Sequence, residues 1–184
     1  MIRWLANILA IILVVALGVG LAWESRKQDD QASRQTDTQA ALERIEKTIK
    51  VQAATGFAEL NARRWPVTIE ASWFHEPMPR NTLVAGPRPW IEVAPADQAD
   101  LTHPPVRQTL DGTQAEFWYN PYNGIVRARV PVMLSDEQSV ALYNAINGTR
   151  LNSIFQSEAS VARAGAAPKT PAQTVAAPDA DAGR

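Results

Sequence analysis

The chain has 184 residues, 46% of them hydrophobic, with 18 basic against 19 acidic side chains, 13 prolines and no cysteine. That length accommodates one domain plus appendages, and the near-neutral balance gives no electrostatic reason to expect nucleic acid as a partner. The missing cysteines exclude a disulfide scaffold, a thiol nucleophile and a thiolate metal site.

Mean hydropathy is −0.21, an ordinary value that averages unlike segments. From Leu5 to Ala22 the chain carries no charge, the nearest being Arg3 and Glu24. Eighteen helical residues cover about 27 Å, close to the hydrocarbon thickness of a bilayer. Trp4 and Trp23 bracket the run where indoles favour the headgroup layer. The expectation is a membrane anchor over residues 1–23, carried by Trp4, Leu5, Leu13, Leu21 and Trp23. Gly18 and Ala22 have small-xxx-small spacing, which lets a second helix approach. The rival reading is a cleaved signal peptide ending at Gly20-Leu21-Ala22, with Arg3 as its basic region. The anchor reading implies the inner (cytoplasmic) membrane, one pass, and an extracytoplasmic C-terminal domain.

Residues 24–56 read as an amphipathic helical stalk, free of proline and glycine until Gly56. Leu42, Ile45 and Ile49 share one face, with Glu43–Lys47 and Glu46–Lys50 as acid-first i,i+4 pairs. The stripe is under two heptads, so it predicts packing on the chain's own domain rather than a coiled coil.

Residues 57–155 hold 11 of the 13 aromatics, and eight prolines fall between Pro66 and Pro105. This mixture predicts short strands and extended loops. Strands are expected at Val67–Phe74 and Trp90–Ala94, and a hairpin at Ala115–Val130 turning on Asn123-Gly124. Val126, Ala128, Val130 and Val132 alternate with Arg127 and Arg129, as in an antiparallel sheet buried on one side. Ser135 and Gln138 have capping-box spacing ahead of a helix that Gly148 can close. Residues 156–184 read as a disordered Ala/Pro-rich tail, with ten alanines among the last 26 residues. The expected fold is therefore α+β: a long N-terminal transmembrane-plus-amphipathic helix, a small antiparallel β-sheet domain and a short C-terminal helix.

No catalytic motif emerges. His75 and His103 lie in His-Glu-Pro and His-Pro-Pro, outside any H-E-x-x-H pattern. There is no G-x-S-x-G elbow and no phosphate-binding glycine loop outside the apolar run. The chain reads as a non-enzyme with no catalytic residues, no cofactor and no metal. Asn147-Gly148-Thr149 matches a glycosylation acceptor, but Gly148 already serves as a helix stop. Arg64, Trp65, Arg80, Arg88 and Trp90 form a mildly basic aromatic set, read either as internally paired residues or as a partner surface for acidic groups. The tryptophans fit core packing better than a carbohydrate platform.

The order of parts resembles the type IV pilins and type II secretion pseudopilins. Leu42–Ile49 followed by Gly56 and Arg64-Trp65-Pro66 looks like the lower half of a pilin helix and its exit. Pro79-Arg80-Asn81-Thr82-Leu83 and Phe117–Pro121 through Gly124 look like the loop and strand-turn-strand of such domains. The pilin leader, with its Gly and the acid early in the mature helix, has no counterpart before Glu24. The resemblance implies a pilin-like structural or assembly protein whose partners are the membrane and other membrane-anchored or pilin-like subunits, including its own copies. The alternative is a monomeric membrane-anchored periplasmic binding or adaptor module.

Overall fold

The computed structural model describes residues 2–75 and 77–155, and for residues 2, 3, 5–22 and 24 the backbone alone. The expected tail at 156–184 lies outside the described residues, as do the side chains of Leu5, Leu13, Gly18, Leu21 and Ala22.

Helix α1 runs from Ile2 to Thr55, 54 residues. Gly56 ends it with φ 71°, a left-handed value that suits glycine, and its N–H returns to the Gln52 carbonyl. Between Ser25 and Arg34 every side chain is exposed and all but Ala32 are polar. Beyond that, Thr38, Ala41, Leu42, Ile45 and Ile49 are buried in the head. The 3.6-residue period of this stripe turns one helix face inward, so α1 is both stalk and core element.

Strand β1 is Ile91–Val93, β2 Gln108–Thr109, β3 Phe117–Asn120, β4 Ile125–Ala128 and β5 Val130–Pro131. A three-stranded sheet has the order β1-β3-β4, and a two-stranded one pairs β2 with β5. Phe117, Tyr119, Val126 and Ala128 join Leu42, Ile45, Ile49 and residues of the second helix in one apolar core. That helix, α2, spans Asp136–Asn147. Ser135 caps it by accepting the Gln138 N–H at 3.2 Å, and Gly148 closes it at φ 61°. Ser139, Leu142, Tyr143, Ile146 and Asn147 face inward, and Val140 packs partly buried against the core.

The expected architecture is corrected on two points. The sheet is mixed rather than antiparallel: β1 runs parallel to β3 and β2 parallel to β5, and only β3–β4 is the antiparallel hairpin. Parallel neighbours require a long crossover, and the proline-rich stretch between Val93 and Phe117 supplies it. The second point is the transmembrane half of the helix. Among the described residues no helix is long and apolar enough to cross a membrane. From Ser25 to Arg34, α1 exposes polar side chains on all sides, Ala32 excepted, until the head grips it.

Smaller expectations also shift. Val67–Phe74 forms no strand; it holds a 3₁₀ turn at Ala71–Trp73, preceded by a single bridge from Leu60 to Pro66. Arg129 is buried rather than solvent-facing, and Val132 is exposed rather than buried. The reason is a change of sheet. The Arg129 N–H bonds the Glu116 carbonyl, while the Val130 N–H bonds Arg107 across the second sheet. The alternation of β4 therefore ends at Ala128.

Candidate interaction surfaces of the head

Two of the sequence's partner-surface residues lie where α1 hands over to the head. After Gly56 the chain folds into a tight turn between Asn61 and Trp65, closed by the Asn61 N–H on the Trp65 carbonyl at 2.9 Å. The Asn61 Oδ1 accepts the N–H groups of Arg63 and Trp65, the side-chain pattern by which asparagine stabilises turns. This turn locks onto the hairpin turn between β3 and β4. Asn61 Nδ2 donates to the Pro121 carbonyl at 2.6 Å, and Arg63 Nη1 to Tyr122 at 3.0 Å. The Trp65 indole lies flat against Gly124, where any Cβ would come within 2.4 Å of the ring.

At the apex, Arg64 holds φ 65°, the one non-glycine left-handed residue among those described. Such a conformation costs on the order of 1 kcal/mol for a residue with a Cβ. Arg63, Arg64 and Phe57 are exposed, Phe57 at 88%. The two interlocked turns thus form a distal tip that presents guanidinium groups beside aromatic rings.

The remaining members of the expected set are elsewhere and mostly engaged. Arg80 clamps the Glu116 carboxylate through both Nε and Nη2. Glu116 is buried and also accepts the Asn81 N–H at 2.9 Å. Arg88 donates to the carbonyls of Ala85, Asp111 and Gln114. The Trp90 ring meets Phe74 edge-on at 5.4 Å and its Nε1 donates to Pro79 at 2.8 Å. These three residues build the head, and the structure does not bring them together with Arg64 and Trp65.

The Arg80–Leu83 segment fastens the head to the helix. Thr38 Oγ1 reaches Asn81 Oδ1 and Thr82 Oγ1, both at 3.3 Å, and Thr82 donates to the Arg34 carbonyl at 3.0 Å. Asn81 Nδ2 spans the Glu116 and Arg129 carbonyls. Arg129 in turn pairs with Glu92 at 2.7 Å. Sequence reading missed this seam, because Thr38 and Arg129 interrupt the apolar patterns. The helix-packing residues Leu42, Ile45 and Ile49 lie buried on the same seam.

His75 is exposed, while His103 is buried with Nδ1 at 3.1 Å from the Tyr143 hydroxyl. Among the described residues no group of three potential metal ligands converges. Asn147 is buried, and its amide pairs with both the N–H and the carbonyl of Ala128, so the acceptor-like tripeptide is consumed in capping β4. Trp4 and Trp23 are exposed, and the Lys27 ammonium sits 4.2 Å from the Trp23 ring centre. Comparisons with protein-family models, curated proteins and solved structures find no match to this chain.

Proposed function

We propose that this chain is a pilin-like structural or assembly protein of the cell envelope. It holds a small head on a helical stalk and acts through helix packing and head contacts. It acts at the inner membrane, with the head on the extracytoplasmic side. The observation that carries this reading is the seam between α1 and the head. Thr38, Asn81 and Thr82 bridge the two, and Leu42, Ile45 and Ile49 fill the core between them. Helix and head therefore form one lever, with the tip at Arg63–Trp65 at its far end.

At that tip, exposed guanidinium groups and aromatic rings suit an acidic protein partner, since arginine and aromatic side chains concentrate binding energy at interfaces. Arg64 provides the test. Arg64→Gly relieves the left-handed strain and removes the charge, so it should leave the head more stable yet weaken capture of partner subunits by the full chain. Fractionation and native mass of the detergent-extracted protein test the wider reading. A discrete monomer with no co-purifying envelope subunits would sink the structural role.

A further inference from the structure

The tip carries positive charge that its own head leaves unmatched. Arg64 is exposed, as are Arg63 and Phe57, and among the described residues no ion pair reaches it. Negative charge of the right kind lies elsewhere on the same chain, in a groove between α1 and α2. Gln39, Leu42, Glu43 and Glu46 of α1 and Ile146 and Gly148 at the end of α2 line about 310 Å³ there. That volume is at the small end of ligand-sized clefts, about 300 Å³, and suits a few side chains of a docking segment.

Three sources make this groove negative. Glu43 is exposed and forms no ion pair among the described residues. Glu46 is half-buried and meets only the exposed Lys50, at 3.9 Å. α2 ends in the groove with no basic side chain in its last turn, and a helix C-terminus carries partial negative charge. Lys47 and Lys50 line a separate depression with Val51 and Ala54, so no cation lines the groove itself. Its floor is apolar, since Leu42 and Ile146 are buried beneath the two carboxylates. An apolar floor under an acidic rim complements a segment that offers a phenyl ring and guanidinium groups, as Phe57 and Arg63–Arg64 do.

A chain cannot place its tip in its own groove. Asn61 and Arg63 pin the tip to the Pro121 and Tyr122 carbonyls of the hairpin turn. Thr55, where α1 ends, is already about 14–18 Å of helical rise beyond Glu46 and Glu43. A second copy supplies what the groove's own tip cannot. We infer that the Arg63–Arg64 tip of one copy docks in the α1–α2 groove of another. This rests on the acidic partner proposed above for the tip, and identifies that partner as the chain itself. Tip and groove are different patches, so the contact is heterologous, and copies add head to tail into open chains or closed rings.

A charge swap tests the pairing, because Arg64 and Glu43 are both exposed and their replacement leaves the core untouched. Self-association of the full chain in mild detergent is followed by sedimentation velocity for Arg64→Glu, Glu43→Arg and the variant carrying both. Each single substitution should weaken association about tenfold by placing like charges together, and the double variant should restore it. Single losses without restoration overturn the pairing of this tip with this groove. Association that neither substitution changes overturns it as well. If the unaltered chain stays monomeric yet captures a different envelope subunit, and Arg64→Glu abolishes that capture, the copy-to-copy contact falls and the acidic-partner reading stands. A monomer that captures nothing overturns both.

Discussion

The two faces of the β1-β3-β4 sheet are closed by different physics. On one face Phe117, Tyr119, Val126 and Ala128 meet Leu42, Ile45 and Ile49 of α1, and burial of apolar area does the work. On the other, Trp118 and Asn120 are equally buried, but beneath a loop rather than a helix. Asn120 Nδ2 reaches the carbonyls of Gln98, Ala99 and Leu101 at 2.8–3.2 Å, Trp118 Nε1 donates to Gln98, and Arg127 donates to Thr102. A loop carries backbone groups that must be satisfied, so the residues beneath it are donors. The same strand thus alternates between an oily face and a hydrogen-bonding one.

The largest expected effect lies on the apolar face. Ile45→Ala should cost about 3 kcal/mol, read as a lower denaturant midpoint, because the site is fully enclosed between α1 and the sheet. On the polar face Asn120→Ala should cost about 2 kcal/mol by stranding loop carbonyls, and amide exchange should rise first in residues 96–102. Equal protection of both regions in that variant would erase the distinction between the faces.

Alkali should separate them further. Burial raises the Tyr119 phenol well above its ordinary value of 10.0, and its hydroxyl donates to the Pro66 carbonyl at 2.7 Å. The unfolded phenol ionises near pH 10 while the folded one stays neutral. Stability from this group is therefore complete below pH 10 and lost above it, at about 1.4 kcal/mol per pH unit until the folded phenol ionises. Tyr119→Phe should remove that slope in pH-dependent unfolding. Gly124→Ala, which places a Cβ against Trp65 and in a left-handed conformation, should cost about 1–2 kcal/mol and shift tryptophan emission. The smallest effect is a gain: Arg64→Gly should raise the unfolding midpoint by the equivalent of about 1 kcal/mol.

Legibility in the sequence follows the same division. Period and punctuation marked the inner stripe of α1, the Gly56 stop, the β3–β4 hairpin and the caps of α2, each of which rests on local chemistry. The mixed sheet was not legible, because pairing β1 with β3 depends on where a long crossover returns. The tip was half legible: Arg64 and Trp65 stood out by type, but their separation from Arg80, Arg88 and Trp90 is a matter of tertiary placement.

By itself, then, the sequence determined which segments are helical, where they stop and which stripe of α1 is apolar. Those follow from backbone sterics and side-chain period within a few residues. Only the tertiary structure decided that Arg129 is buried, that Asn81 and Thr82 tie the head to the helix, and that Val132 and Leu134 are left uncovered. Each of these depends on partners 35 or more residues away, or on a strand leaving one sheet for another. No local pattern encodes a choice made by distant backbone groups that must find donors once water is gone.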